Sequence, residues 1–395
     1  MKDGSDAFEG VEFVAGDPGV LAARPVRAFA KGSLSLLADV SARLMGDDRA
    51  RRLPDVVSFA FWCRRAHLEA LAKGYAEAPL RLGRGLALHI APSNVPVNFA
   101  FSWAFSHLAG NVDVVRVPSK AFPQVDVICT AIGKAMAVAG DSRSAFVRYP
   151  SDGAATESLS LVSDVRIVWG GDATVARVRS MPCPPRCVDV AFPDRYSVAL
   201  VDERAIADLD DGGLSELAAG FYNDTYLMDQ NACSSPRTVI WLGADGCQRG
   251  RFWRAVRRQA AEAYDLQGAV CTDKYVRLCA DAASGLVSER ASFDGRLTLA
   301  PLAEMPGDLS DLRGYGGYFY EVEAGTMEEA IGSLGARCQT IVYYGVDPEA
   351  VREAVVDAGC AGVDRIVPVG SAMDIGIVWD GFDLARVLSR VVEAR

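Results

Sequence analysis

The sequence predicts an α/β protein with a doubly wound parallel sheet in its first half and a second α/β domain in its second half. From residue 83 onward, apolar runs of strand length alternate with stretches of helical spacing. These runs are largely apolar, as in parallel strands that are covered on both faces. Glycines such as Gly110 and Gly140 end the helical stretches.

Residues 1–80 are predicted to form a helical region ahead of the sheet. Residues 26–45 and 55–75 place apolar side chains at helical spacing, and residues 58–63 are expected to form a core face. The polar, acidic start of the chain does not match a signal peptide.

Residues 1–202 are predicted to contain a nucleotide-binding domain, because strands alternate there with crossover helices. The predicted strands are residues 86–91, 112–117, 145–149, 165–169, 188–192 and 197–201. The predicted helices are residues 95–108, 124–138, 154–162 and 173–180.

Residues 203–369 are predicted to form the second, catalytic domain. Its expected helices are residues 205–222, 251–263, 327–334 and 348–358, and its expected strands are residues 239–242, 340–344 and 365–369. Residues 270–325 show no assignable pattern. Residues 370–395 either complete the first domain or support the second.

Composition excludes several classes of protein. The net charge of −10 and the lack of a Lys/Arg-rich run argue against a nucleic-acid partner. No apolar stretch reaches the roughly 18 residues that a membrane span needs. The ten cysteines are scattered without the regular spacing of a disulfide-rich protein, which predicts reduced thiols and a cytoplasmic location. Three histidines and the isolated pair Cys183 and Cys187 argue against a metal site.

Cys233 is the candidate nucleophile. It lies between small and polar residues in a predicted turn, just before the apolar run of residues 237–242. A structural cysteine usually lies inside an apolar run, whereas a thiol at the start of one can face a cleft. The alternative is a small residue that closes a turn.

Three loops follow predicted strands at the edge where open α/β sheets bind ligands. In the first, Asn94 either caps a helix or donates to an oxyanion. In the second, Arg116, Ser119 and Lys120 suit a ribose or a 2′-phosphate, or form a solvated turn. The third loop consists of Gly170, Gly171 and Asp172. It either allows a pyrophosphate to approach the N-terminus of the next helix, or is a tight turn in which Asp172 is the N-cap of that helix.

The order of these segments resembles the aldehyde dehydrogenase superfamily, and in detail its LuxC-type acyl-CoA reductases (long-chain fatty acyl reductases). The resemblance spans nearly the whole chain, and the cysteine turn and the Trp-Gly-Gly-Asp turn are its most specific parts. The segments that carry it are residues 58–62, 92–96, 109–111, 169–172, 229–236 and 379–381.

The resemblance implies a role for each candidate residue. Cys233 would take an acyl group from a thioester, and Asn94 with the Cys233 N–H would form the oxyanion hole. Pro92 and Ser93 would line the nicotinamide side. Arg116 occupies the position of a ribose-contacting lysine, and Ser119 that of a glutamate common in NAD-preferring relatives. With Lys120 adjacent, this favours NADPH over NADH.

The chain departs from hydrolytic aldehyde dehydrogenases because no glutamate ends the predicted strand 188–192; Asp194 is the nearest carboxylate and is not expected to act as the base. A thioacyl enzyme should then persist until hydride or a thiol reaches it. The expected activity is NADPH-dependent reduction of a fatty acyl thioester to the aldehyde. The alternatives are a CoA-acylating dehydrogenase for short aldehydes and a non-redox cysteine acyltransferase.

The resemblance also implies partners. The substrate would be acyl-CoA or an acylated carrier protein, an acyl-protein synthetase would be a candidate donor, and the enzyme would be a homo-oligomer.

Overall fold

The computed structural model describes residues 7–76, 80–92, 95–150, 154–243 and 246–394. The chain divides into two compact units. Unit 1 comprises residues 1–193 and 382–395, and unit 2 comprises residues 194–381. Both are α/β, as the sequence predicts.

Unit 1 contains a six-stranded sheet in the order β1-β5-β4-β3-β6-β7. The strands are β1 (Glu12–Ala15), β3 (Leu86–Ile90), β4 (Val112–Arg116), β5 (Ser144–Arg148), β6 (Val165–Trp169) and β7 (Val188–Phe192). Only β1, on the edge, is antiparallel to its neighbour. The order of the parallel strands reverses between β3 and β6, which is the switch point at which doubly wound sheets bind ligands.

The helices of unit 1 are α1 (Lys31–Gly46), α2 (Asp48–Arg51), α3 (Pro54–Trp62), α4 (Arg65–Gly74), α5 (Asn98–Ala109), α6 (Pro123–Ala139), α7 (Ala155–Ser160), α8 (Asp172–Ser180) and α15 (Leu384–Val387). Helix α5 is buried at every position from Phe99 onward. A helix that is apolar nearly all round belongs in a core. Its left-handed cap Gly110 could not carry a side chain, because a Cβ would lie 2.1 Å from the Val26 carbonyl oxygen.

The C-terminal segment completes unit 1. Strand β16 (Ser389–Val391) pairs antiparallel with β2 (Arg81–Gly83). The Asn111 side-chain amide donates to the Leu388 carbonyl at 2.9 Å, and Arg84 Nε donates to the Val387 carbonyl at 2.6 Å. Of residues 370–395, for which the sequence analysis left two alternatives open, residues 370–381 belong to unit 2 and residues 382–395 complete unit 1.

Unit 2 contains a second six-stranded sheet, in the order β10-β11-β9-β8-β12-β13, in which all five pairings are parallel. Its strands are β8 (Tyr196–Asp202), β9 (Pro236–Leu242), β10 (Thr298–Pro301), β11 (Tyr318–Ala324), β12 (Cys338–Tyr344) and β13 (Arg365–Pro368). A short strand, β14 (Val378–Trp379), ends unit 2, and another, β15 (Phe382–Asp383), begins the C-terminal segment of unit 1.

The helices of unit 2 are α9 (Glu203–Ala207), α10 (Asp211–Thr225), α11 (Arg249–Ala263), α12 (Gly268–Ala283), α13 (Met327–Gly332) and α14 (Pro348–Asp357). None of the helices in the described ranges is both long enough and apolar enough to cross a membrane.

Two features of unit 2 differ from the sequence analysis. Strand β8, predicted within the first domain, pairs with β9 and β12, so the boundary falls at residues 193/194 instead of 202/203. The sequence of an apolar strand does not show which of two sheets the strand will join. The unassigned region 270–325 contains α12, β10 and β11. Helix α12 escapes a hydrophobic-periodicity search because its two buried residues are Lys274 and Asp281.

Candidate active site

The turn that carries Cys233 begins with two residues in the left-handed region, Asp229 (φ 51°) and Gln230 (φ 56°). This conformation is uncommon outside glycine and costs free energy. Neighbouring bonds hold it in place. Tyr264 donates its hydroxyl proton to Asp229 Oδ1 at 2.7 Å, and the Gly316 N–H donates to the Asp229 carbonyl at 2.9 Å.

Gln230 fixes this turn to the sheet. Its side chain is fully buried, and Oε1 accepts from the N–H groups of Gly317 (2.7 Å) and Tyr318 (3.0 Å). Its Nε2 donates to the carbonyls of Pro236 and Tyr318, each at 3.2 Å. One amide therefore connects the start of β9 to the start of β11.

Cys233 itself is half-buried and is held through its backbone. The buried Ser197 hydroxyl donates to the Cys233 carbonyl at 2.6 Å. Burial raises the pKa of the Cys233 thiol, and the nearby carboxylates of Asp194 and Asp380 raise it further. A hydrogen bond from the Arg195 backbone N–H to the sulfur opposes this rise, as does the charge of Arg237.

Charged groups surround this thiol. Asp194 accepts from Arg313 Nη1 at 2.9 Å and lies 3.8 Å from Arg337 Nη2. Arg237 is half-buried, and burial lowers its pKa. Its Nε has no hydrogen-bond partner within the described part of the chain. Arginine thus supplies the compensating positive charge around the sulfur, whereas Asp194 is committed to ion pairs.

The predicted cofactor residues lie in unit 1, at the carboxyl ends of neighbouring strands. Pro92 follows β3, Arg116 ends β4, and Gly170 follows β6. Ile90 is in register with both Arg116 and Val168, so these three chain ends are adjacent at the switch point. Ser93 and Asn94 lie outside the described residues.

Arg116 is partly engaged by the chain itself. Its Nε and Nη2 each lie 3.3 Å from the Tyr149 carbonyl, and Nη2 lies 3.4 Å from the Ser119 hydroxyl. Burial lowers its pKa. Lys120 is exposed and lies 5.2 Å from the Phe122 ring centroid. The structure therefore brings Arg116 and Ser119 together.

The Gly-Gly turn leads into helix α8. Gly171 is its N-cap, and no side chain caps the helix. Asp172 is the first helical residue instead of the cap that the alternative interpretation proposes. A Cβ placed on Gly171 would meet no atom within 4 Å, and its φ of −62° suits any residue. The space in front of this helix end is open, and its N–H groups can receive an anion.

A buried polar chain that sequence reasoning missed runs behind this turn. The Trp169 indole N–H donates to Ser102 Oγ at 3.0 Å, and Ser102 Oγ lies 2.8 Å from His89 Nδ1. His89 Nε2 lies 3.2 Å from Asp113 Oδ1, and His107 lies on the other side of that carboxylate. Burial opposes ionisation of Asp113, yet contacts with His107 and His89 lower its pKa to about 2.

In the portion of the chain that the structure describes, no group of three or more His, Cys, Asp or Glu side chains is arranged so that it could hold a metal ion. Gln230 lies in the segment 229–236 that the sequence analysis singled out. Sequence reasoning did not identify Ser197, Arg195 or Arg237 as residues of the site. Ser197 lies 36 residues from Cys233, and nothing in the sequence links the two positions.

Comparison with solved structures shows an aldehyde dehydrogenase fold. A NAD-dependent aldehyde dehydrogenase from Sinorhizobium meliloti aligns with 86% of this chain and 75% of its own, at 15% identity and a TM-score of 0.62. A 1-pyrroline-5-carboxylate dehydrogenase from Thermus with bound NAD aligns with 89% of this chain and 76% of its own, at 13% identity and a TM-score of 0.62. A lactaldehyde dehydrogenase aligns with 85% of this chain and 78% of its own, at 14% identity and a TM-score of 0.59.

The chain thus has the fold of the aldehyde dehydrogenases. The sequence model of the acyl-CoA reductase (LuxC) family matches residues 39–266, more than half of the chain. The chain belongs to the LuxC acyl-CoA reductase family and is an oxidoreductase. No curated protein matches the sequence significantly.

Proposed function

We propose that this protein reduces a fatty acyl thioester to the aldehyde with NADPH, through an acyl group carried on Cys233. The observation that carries the proposal is the Cys233 turn. Its sulfur meets a backbone N–H donor, its carbonyl is held by Ser197, and its position is set by Gln230. Family membership supplies the reaction class.

The first step is acyl transfer. The Cys233 thiolate attacks the thioester carbonyl carbon, a new C–S bond forms, and the carrier leaves as a thiolate that takes up a proton. Because burial raises the pKa of Cys233, the reactive form needs local stabilisation. The Arg195 N–H and the charge of Arg237 provide it.

The tetrahedral species of this reaction needs an oxyanion hole. We assign that role to the Asn94 side-chain amide and the Cys233 backbone N–H, following the family resemblance. The Ser197 bond to the Cys233 carbonyl restricts the orientation of the turn in which this N–H lies. A preorganised donor of this kind typically lowers the barrier by about 3 kcal/mol.

The residues at the switch point fit a dinucleotide. Gly171 lacks a side chain although neither its backbone angles nor its own neighbours require this, which suits the approach of a diphosphate to helix α8. Arg116, Ser119 and Lys120 offer two cations and a hydroxyl without a carboxylate, which favours a 2′-phosphate and therefore NADPH over NADH. When bound, NADPH would supply the hydride that reduces the thioacyl carbon.

The last step releases the aldehyde from Cys233. Once the thioacyl carbon is reduced, its oxyanion re-forms the carbonyl double bond as the Cys233 C–S bond breaks. The sulfur keeps the electron pair of that bond as thiolate, and the aldehyde departs. Competing hydrolysis needs a base that activates water. Asp194 is the carboxylate nearest in sequence to the end of strand β7, where hydrolytic aldehyde dehydrogenases place a glutamate. It is held by Arg313 and Arg337, which supports reduction over hydrolysis.

Intact-protein mass spectrometry tests this function. Mixed with a long-chain acyl-CoA, the protein should gain the mass of the acyl group, and added NADPH should remove it as aldehyde. Cys233→Ala should show no gain. An adduct that NADPH cannot discharge would indicate an acyltransferase, and an adduct that persists in Cys233→Ala would exclude Cys233 as the nucleophile.

The family also suggests partners for this reaction. The acyl donor would be acyl-CoA or an acylated carrier protein, delivered by an acyl-protein synthetase, and the enzyme would work as a homo-oligomer in the cytoplasm. Sedimentation equilibrium of the purified protein, alone and with a synthetase, tests the assembly.

A further inference from the structure

A cleft of about 400 Å³ opens in unit 2 between helix α12 and the loop that precedes β11. It is lined by Asp273, Lys274, Val276, Arg277, Ala280, Arg313, Gly314, Tyr315 and Tyr318. Six of the nine lining residues carry polar or charged side chains, three of them cationic, while apolar atoms form most of the exposed wall. Such a cleft is suited to a ligand that combines an anionic group with an apolar part.

The cations of this cleft differ in how many hydrogen bonds and ion pairs they make within the protein. Lys274 is buried, and its ammonium donates to the carbonyls of Gly295 (2.7 Å) and Gly316 (2.5 Å). Burial lowers its pKa to about 8, so it is still mostly protonated at neutral pH. It contributes positive charge to the cleft wall while its hydrogen bonds serve the fold.

Arg313 and Arg277 supply the donors. Arg313 is paired with Asp194 through Nη1 alone, which leaves other guanidinium N–H groups to bind a ligand. Arg277 is exposed and has neither a hydrogen bond nor an ion pair with any residue that the structure describes.

The carboxylates nearest to Arg277 on helix α12 are hydrogen-bonded to tyrosines rather than to the arginine. Asp273 accepts the Tyr315 hydroxyl proton at 2.6 Å. Asp281 accepts those of Tyr318 (2.7 Å) and Tyr320 (2.8 Å). The lining itself contains three cations, Lys274, Arg277 and Arg313, and one carboxylate, Asp273, while Asp194 and Asp281 lie beside it.

Direct hydrogen bonds connect this cleft to the Cys233 turn. The loop residues Gly316, Gly317 and Tyr318 donate their N–H groups to Asp229 and Gln230. Asp194, the partner of Arg313, is close enough for its charge to act on Cys233. A group bound in the cleft is therefore next to the segment that presents the sulfur.

We propose that this cleft binds the phosphate of the 4′-phosphopantetheine arm that carries the acyl thioester, with Arg277 and Arg313 as its ligands. The inference rests on the proposed function, since it takes the substrate to be a thioester of such an arm. Guanidinium groups bind phosphate through paired N–H donors, which a lysine cannot match geometrically. The same phosphate occurs in CoA and in carrier proteins, so the cleft would serve either donor.

Arg277→Gln is the sharpest test, because Arg277 makes no bond that the fold would lose. Its matched control is Arg258→Gln, which removes an exposed arginine from α11. Calorimetry with 4′-phosphopantetheine, pantetheine and CoA measures binding without turnover. We expect Arg277→Gln to weaken binding of 4′-phosphopantetheine and of CoA about tenfold, to leave pantetheine unchanged, and Arg258→Gln to match the wild type.

Kinetics with acyl-CoA and acyl-pantetheine provide the second arm. Arg277→Gln should raise the KM for acyl-CoA about tenfold, with little change in kcat, and should leave acyl-pantetheine unaffected. Equal effects on the phosphorylated and unphosphorylated compounds, or no effect on either, would overturn the cleft assignment. Adenosine 3′,5′-bisphosphate that competes as well as CoA would also overturn it, because the nucleotide phosphates would then be the ones bound.

The failure of the proposed function looks different. A wild-type protein that forms no acyl adduct with acyl-CoA or acyl-pantetheine would refute the reductase. Loss of 4′-phosphopantetheine binding in Arg277→Gln would still support the cleft.

Discussion

At Cys233, two opposing influences set the reactivity of the sulfur. Burial and the carboxylates of Asp194 and Asp380 favour the thiol, whereas the Arg195 N–H and Arg237 favour the thiolate, and the net effect is a raised pKa. A resting enzyme with a protonated nucleophile is protected from adventitious alkylation.

We expect the rate of Cys233 alkylation by iodoacetamide to rise with pH through and beyond pH 9. The thiol form predominates below the pKa, and the pKa is raised, so the thiolate fraction increases up to high pH. Arg237→Gln should slow alkylation at pH 8 several-fold, because it removes a nearby positive charge. Alkylation is followed by mass spectrometry against Cys233→Ala, and a rate that levels off below pH 8 would contradict the expectation.

Ser197 is expected to act as a positioning residue. Ser197→Ala removes the 2.6 Å bond to the Cys233 carbonyl and should lower kcat about tenfold while changing KM little, with a stability loss of about 1 kcal/mol. Kinetics and urea unfolding measure the two effects.

Ser235→Ala is the matched control for Ser197→Ala. Ser235 is buried in the same turn, and its hydroxyl has no hydrogen-bond partner among the residues described. This variant should keep both kcat and stability. A similar loss of kcat in both variants would show that the Ser197 bond has no special role.

At the scale of elements, the cysteine turn depends on the parallel pairing of β9 and β11. Both strands begin beside Gln230, whose amide satisfies four backbone groups. Without that amide the buried N–H groups of Gly317 and Tyr318 would lack partners. Such orphaned groups are costly, so the side chain is structural as much as functional.

Gln230→Ala is therefore expected to lower the free energy of unfolding by about 2–4 kcal/mol, since it leaves several buried groups unsatisfied. Denaturant unfolding of unit 2, followed by tryptophan fluorescence, measures the change. Asn231→Ala alters the exposed neighbour and should stay within about 0.5 kcal/mol of the wild type. A Gln230→Ala variant as stable as Asn231→Ala would refute this account.

Elements also show where sequence patterns succeed and fail. Strands β6 and β7 match their predicted bounds because each is a mostly apolar run bounded by turns. The one charged residue in each strand, Arg166 or Asp189, is paired with the other. Helix α12 was missed because its buried positions are Lys274 and Asp281, seven residues apart, and apolar side chains such as Val276 are exposed. Periodicity detects apolar burial, and this helix is attached through charges that hydrogen-bond to loops and tyrosines.

At the scale of the whole molecule, the stability of unit 1 is expected to depend on pH. In unit 1 the fully buried Asp113 lies between His89 and His107, and its pKa is lowered to about 2. A carboxyl group with a depressed pKa stabilises the fold above its unfolded pKa of about 3.9. That contribution is lost as the pH falls towards 2.

Unit 1 should therefore lose about 2 kcal/mol of stability between pH 4 and pH 2 through Asp113 alone. Asp113→Asn should be less stable than the wild type at pH 7, and its remaining stability should depend less on pH over that interval. Chemical unfolding at a series of pH values measures both. Parallel stability curves for the two proteins would show that Asp113 does not titrate in this way.

The sequence alone determined the α/β class, the five parallel strands of the first sheet, the switch-point loops and the Cys233 turn, whereas it missed the edge strand β1, which lies in a region predicted to be helical. Local patterns carry these features, since apolar runs, glycines and a cysteine between small residues are read without knowledge of distant contacts. The resemblance to LuxC reductases rested on such segments, and the family match confirms it.

Only the tertiary structure decided which sheet β8 joins, how the C-terminal segment completes unit 1, and which groups surround the sulfur. Ser197 and Arg195 reach Cys233 from more than 30 residues away, and Arg313 reaches Asp194 across 119 positions. Hydrogen bonds and ion pairs at such separations depend on how strands are ordered in the sheet. No local pattern encodes that order, so the environment of the thiol and the cationic cleft emerge only in the folded chain.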